Sequence, residues 1–261
     1  MLKKLLFIFA IISTTALHAQ VYLGFGAGYG FGAGRRVNGY EIKGTEVTNI
    51  YGSYGKGFLP EIKVGMMINE HFGLEMGFSY LIGAKQTKLN CDTAFIDSQA
   101  NGLRFIPQLV YRFDNGFYGR FGLILPLLGK NIERATIEMS PSMKVEKELE
   151  NKGSFSVGFA GALGYQFQLN DKFKLYLEAQ YVGLAIRSGF AEYTKYEVNG
   201  VDQLENMSVG QKKFEFYDKV DNAKDNTRDN PNWDPTEPTV MLRQNAPFSA
   251  IEFKVGITFD L

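Results

Sequence analysis

The chain has 261 residues, with 28 Lys and Arg against 28 Asp and Glu, so it lacks the basic balance that a nucleic-acid partner requires. Its one cysteine, Cys91, excludes an internal disulfide framework, and its two histidines leave too few ligands for an ordinary zinc centre. Glycine (29), Phe (22) and Tyr (14) are abundant, a composition suited to β-structure that bends and packs closely.

Residues 1–19 read as an export signal. Lys3 and Lys4 precede the mostly apolar run "LLFIFAIISTTAL", which is too short to span a bilayer, and Ala19 offers a small residue for cleavage. No later run is long and apolar enough for a spanning helix. The next stretch, "GFGAGYGFGAG" from Gly24 to Gly34, fits a loose dinucleotide-binding pattern, but that reading needs a helix directly after it. A two-residue period fits better. Val21, Leu23, Phe25, Ala27, Tyr29 and Phe31 fall on one face and Gly24, Gly26, Gly28 and Gly30 on the other.

The same period returns in seven more segments: 58–68, 72–84, 103–113, 117–125, 155–169, 173–185 and 251–261. Across all eight, the apolar face carries no Asp, Glu, Lys or Arg. Short connections, "NEH", "DNG" and "NDK", alternate with long ones at 34–57, 85–102, 126–154 and 186–250. This predicts an all-β, eight-stranded antiparallel up-and-down barrel over residues 20–261. Three tight turns and both termini lie on one side, and four long loops on the other. Within the long loops, "TIEMSPSMKVEKEL" and "KYEVNGVDQL" have the pattern of hairpins, the second with an Asn199-Gly200 turn. The stretch from Asp221 to Pro238 is polar and proline-rich, and is expected to be solvated and mobile.

Side-chain volume decides which face points inward. About twenty aromatics on the apolar face exceed what an eight-strand interior, only just wide enough for packed side chains, can hold. The apolar face therefore meets lipid. Phe72, Phe113, Phe117, Phe167 and Phe173, all beside tight turns, form an aromatic belt. The other face is expected to line the lumen with a structural ion-pair network of Glu61, Lys63, Glu75, Arg104, Arg112, Arg120, Lys174, Glu178, Glu252 and Lys254.

The C-terminal "KVGITFDL" places Lys254, Gly256, Phe259 and Leu261 in a polar-x-Gly-x-x-aromatic-x-hydrophobic arrangement. With it, the chain resembles the eight-stranded outer-membrane β-barrels of the OmpX and OmpA-transmembrane type, although Leu261 replaces the commoner terminal Phe. The resemblance implies a transmembrane, porin-like barrel in the outer membrane of a Gram-negative cell envelope. It implies short periplasmic turns, long extracellular loops and a last strand read by the outer-membrane assembly machinery. It also implies a monomer and a non-enzymatic role in envelope integrity, adhesion or surface interaction through the loops. The alternatives are a small transport barrel and an accessory factor in protein secretion.

No chemistry is expected from the remaining residues, and no catalytic, cofactor-binding or metal residue is assigned. His71 lies in a short turn without partners for nucleophilic catalysis. The inward glutamates sit beside cations, which favours ion pairing over acid–base work. The Asp- and Asn-rich stretch from Asp221 to Asp234 matches no calcium-loop spacing. Trp233, in the same loop, either anchors a partner or folds against the barrel rim.

Overall fold

The computed structural model describes residues 20–34, 36–221 and 225–261. The expected export signal lies outside them. Among the described residues there are seventeen strands. Eight build the barrel: β1 (Gln20–Gly32), β4 (Gly57–Met67), β5 (Phe72–Gly83), β7 (Ala94–Arg112), β8 (Phe117–Ser140), β10 (Gly158–Gln168), β11 (Phe173–Gly183) and β17 (Ala250–Asp260). The others rise above it: β2 (Val37–Lys43), β3 (Glu46–Tyr51), β6 (Gln86–Cys91), β9 (Met143–Gly153), β12 (Ala185–Val198), β13 (Val201–Asp202), β14 (Lys213–Tyr217), β15 (Thr239–Leu242) and β16 (Asn245–Pro247).

Every barrel neighbour is antiparallel, in the order β1–β4–β5–β7–β8–β10–β11–β17. The ring closes where β17 pairs with β1, from Tyr22 opposite Asp260 to Gly32 opposite Ala250. Closure pairs the first strand with the last, so neither terminal strand presents a free edge to lipid, the condition under which a sheet can cross it.

Each short turn is stabilised by an asparagine side chain. Asn69 Oδ1 accepts hydrogen bonds from the backbone N–H groups of His71 and Phe72, and Asn170 Oδ1 does the same for Lys172 and Phe173. In the third turn Asn115 Oδ1 accepts from Phe117 N–H, and Gly116 takes the φ of +86° that a side chain would resist. His71 stacks on Tyr111 at this end, in keeping with a surface-turn residue.

The faces divide as the period predicts. Phe25, Ile62, Phe78, Leu109, Phe121, Leu163, Leu177 and Phe253 are exposed on the outer wall. Alternate positions are buried. At the short-turn end, Phe72 and Phe113 both meet Tyr111, Phe117 and Phe167 meet Tyr165, and Phe173 meets Phe259, so the predicted belt is a set of paired rings.

The long connections differ from plain loops. β7 and β8 continue far beyond the barrel, with Ala94 still paired to Ile137. Around them β3, β2, β6, β7, β8, β9, β12, β14 and β15 form one continuous sheet above the membrane. The two anticipated hairpins are present. β8 turns into β9 at Pro141 and Ser142, and β12 turns into β13 at Asn199 and Gly200, whose φ values of 52° and 78° suit a type I′ turn. The polar stretch expected to be mobile is instead tied down over its described part. Asn226 Nδ2 donates to the carbonyls of Asp234 and Pro238, and Trp233 Nε1 donates to Thr239 Oγ1 while its ring covers Gly210.

Candidate functional site

The lumen is built on glycines. Tyr22 lies directly opposite Gly65, Tyr118 opposite Gly164 and Tyr176 opposite Gly256. A Cβ on any of these glycines would run into the tyrosine ring. Gly26, which pairs with Gly256, also underlies Tyr176. The glycine rail of β1 is thus the floor on which neighbouring side chains lie. Lys63 covers Gly24 and Lys254 covers Gly28. Three aromatic rings enter the barrel from the polar face, apart from the apolar-face rings that stay outside. The space comes from glycine on the adjacent strand.

Those tyrosines join the ion pairs. Arg120 bridges Glu75 at 3.2 Å and Glu178 at 2.8 Å, so it ties β8 to strands on either side. The Tyr22 hydroxyl donates to Glu75 at 2.8 Å, and the Tyr118 hydroxyl to Glu178 at 2.9 Å. Lys63 Nζ sits 3.7 Å above the Tyr176 ring and 3.3 Å from Glu61. Lys254 bonds to Glu61 at 2.5 Å and to Gln180 at 3.2 Å. Arg104 reaches from β7 to Glu252 on β17, at 2.9 Å, and these strands stand on opposite walls of the ring. Four glutamates face four cations, all buried, so the lumen core is electrically balanced.

Eight of the ten predicted lumen residues meet in this cluster: Glu61, Lys63, Glu75, Arg104, Arg120, Glu178, Glu252 and Lys254. Arg112 and Lys174 stand apart at the periplasmic end. The Arg112 guanidinium lies over the Tyr22 ring, at 4.7 Å. Lys174 bonds to Asp260 at 2.7 Å, a partner the sequence reading passed over. Tyr22, Tyr176 and Asp260 were nonetheless readable, because each has the inward parity of its strand. In the C-terminal motif, Lys254 and Gly256 belong to the lumen, Phe259 packs on Phe173 outside, and the Leu261 N–H bonds to the Val21 carbonyl.

Above the ions the lumen turns apolar. Ile106, Ile124, Ala160, Val182 and Leu184 pack together, with Ile186 and Phe248 against them. Phe248 also meets Tyr54, and Tyr54 N–H bonds to the Pro247 carbonyl, so segments of the first and last long connections fold in over the mouth. No group of three or more His, Cys, Asp or Glu suited to a metal occurs among the described residues.

A closed eight-stranded antiparallel barrel with a lipid-facing apolar wall and a filled ionic lumen defines the outer-membrane β-barrel class. The chain belongs to the outer membrane protein beta-barrel domain family, whose model matches residues 5–211. No curated protein matches it in sequence. Among solved structures it is similar to Ail of Yersinia pestis, at 10% identity and a TM-score of 0.35, covering 93% of this chain and 97% of that one. It is also similar to OprG of Pseudomonas aeruginosa, at 13% identity and a TM-score of 0.37, covering 93% and 95%. Neisserial surface protein A is comparable, at 9% identity and a TM-score of 0.34, covering 93% and 97%. Likeness of this degree transfers no role to the present chain.

Proposed function

We propose that the protein is a non-enzymatic, closed barrel that holds an extracellular sheet rigidly above the outer membrane, for adhesion or another surface interaction. The observation that carries this reading is the unbroken run of β7 and β8 out of the barrel and into a sheet joined by all four long connections. A sheet continuous with a barrel inherits its rigidity, and function in such proteins concentrates on segments displayed by a rigid frame. The apolar cluster and the crossed Arg104–Glu252 pair fill the lumen below, which argues against the transport-barrel alternative. The lumen carboxylates are each engaged by a cation, which argues against their use in acid–base chemistry.

Two measurements test the proposal. Planar-bilayer recordings of the purified barrel are expected to show no large, stable conductance. Pull-downs from intact envelope and host-cell surfaces are expected to recover a protein partner with the full chain. A chain lacking the 136–149 and 195–204 hairpin tips should insert normally but recover none. A stable conductance, or equal recovery by the trimmed barrel, refutes the reading.

A further inference from the structure

The barrel wall is breached at one place. From Leu125 to Lys130, β8 pairs only with β7. Its ladder with β10 ends at Ile124 opposite Gly158, and its ladder with β9 begins at Asn131 opposite Asn151. The chain that should close this gap turns away. Ser154 N–H bonds to the Arg187 carbonyl, and Gly153 pairs with Ser188 on β12. The free edge of β8 carries Pro126, which has no N–H to leave unpaired. A register shift opposite Leu103 and Arg104 bulges Leu127, and bulges re-aim side chains beside sites.

The rim and the interior differ in chemistry. Leu128 on β8 and Phe155 in the connection from β9 to β10 both line the opening and are 72% and 79% exposed, more than their neighbours on the lipid-facing wall. Lys130 and Lys152, both paired with Glu150, crown the gap where headgroups would begin. Inside, a cavity of about 620 Å³ runs from these rim residues to Leu81, Leu184 and Phe248 over the lumen. That size falls within the roughly 300–1,000 Å³ of small-molecule sites. Its charged lining is Arg36, Lys88, Arg104, Lys130, Lys152 and Arg187 with Glu133. Arg104 is paired with Glu252, Lys130 and Lys152 with Glu150, and Arg187 with Asp218, which leaves Arg36 and Lys88. Arg36 and Lys88 have no carboxylate within ion-pair distance among the described residues. Arg104 is only 4% exposed, and its Nε has no hydrogen-bond partner there.

We propose that this breach admits an amphiphile with an anionic head, carboxylate or phosphate, from the outer leaflet. The acyl chain crosses between Leu128 and Phe155, and the head lies among Arg36, Lys88 and Arg104. The sealed lumen beneath makes this a binding site and not a conduit. The site lies at the base of the sheet, with Lys88 of β6 and Lys152 of β9 in its lining, and its occupancy does not require the sheet to bind a partner.

The test uses the full mature barrel in phosphatidylcholine nanodiscs. In a W233F background, L128W gives one tryptophan at the rim, since Trp233 is the only native one. Dansyl-undecanoate is the probe. Saturable energy transfer from the rim tryptophan is expected, and a neutral dansyl-undecanol should bind roughly tenfold more weakly, a difference of about 1.4 kcal/mol. R36E/K88E should weaken the anionic probe by a similar factor, while K56E, outside the cavity, should leave it unchanged. Circular dichroism confirms folding of each variant. Should R36E/K88E fail to fold, the anionic-to-neutral ratio decides alone. Displacement by dodecanoate only identifies a free carboxylate as the natural head, and displacement by dioctanoyl phosphatidic acid identifies a lipid phosphate. Equal binding of the two probes, no effect of R36E/K88E in a folded barrel, or displacement by neither competitor overturns the proposal.

Discussion

Replacing Arg120 by methionine tests the lumen network at its centre. The guanidinium holds Glu75 and Glu178 at 3.2 and 2.8 Å, and it lies 4.7 Å from the Tyr118 ring. All three groups are buried, so R120M leaves two carboxylates without their cation. Stranding one buried charge by removing its partner typically costs about 3–5 kcal/mol. Lys63, which also faces the network, and the hydroxyls of Tyr22 and Tyr118 temper the loss, so R120M is expected to fall within that range rather than double it. The penalty arises from desolvated charge, not from lost volume. E75Q/R120M/E178Q should therefore recover most of the stability, because neutral amides keep the tyrosine hydrogen bonds. Reversible urea unfolding from phosphatidylcholine vesicles, followed by circular dichroism, measures both. A loss under about 1 kcal/mol for R120M, or a triple variant less stable than the single one, would refute the argument from buried charge.

Three further outcomes follow from the same geometry. G164A should destabilise the barrel by about 1–3 kcal/mol, because the added methyl runs into the Tyr118 ring. G161A, on the outer face with open space around it, should stay within about 0.5 kcal/mol of the parent in the same unfolding assay. L163R puts a cation on the lipid face midway along β10 and should cost about 2–4 kcal/mol, read as a lowered urea midpoint for unfolding from vesicles. In the extracellular sheet, hydrogen bonds from Lys144 and Lys195 hold the Glu146 carboxyl down from its usual 4.5 to about 2. A depressed folded pKa contributes stability above the unfolded value, which fades as pH falls through the folded one. Protection factors across β9 and β12, taken relative to the intrinsic exchange rate at each pH, should therefore fall between pH 4.5 and 2, and E146Q should reduce that dependence.

The barrel was legible because each spanning segment meets two unlike solvents. One face of β5, from Phe72 to Ile82, touches acyl chains and the other touches ions, so the period is sharp. Above the membrane that contrast disappears. β9 alternates too, Val145, Lys147 and Leu149 against Glu146, Glu148 and Glu150, but its apolar face includes a lysine and its polar face is a ladder of ion pairs. Such a strand shows in the sequence as one arm of a local hairpin, and its place in a wider sheet does not show. The inward parity of Tyr118 beside Arg120 was readable, but what lets a ring fit there was not. Counting ring volume against lumen width treats every position as equal, whereas Tyr118 fits because Gly164 is its cross-strand partner. Cross-strand register belongs to the pairing of distant segments and is not visible along the chain.

The glycine–tyrosine pairs also explain how so many charges can be kept out of water. A buried ion pair holds only when its remaining lone pairs are satisfied, since the interior strengthens unpaired charge as much as paired charge. Glu75 and Glu178 each receive a hydroxyl from a tyrosine anchored on a glycine, in addition to the shared Arg120. Replacing either glycine by a larger residue would displace the ring, and with it the hydrogen bond that completes the carboxylate. The loss at Gly164 should therefore couple to Glu178. In a double-mutant cycle, G164A and E178Q together should cost less than the sum of the two alone. Strict additivity would mean that Tyr118 merely fills space, and that the network does not depend on the glycines beneath it.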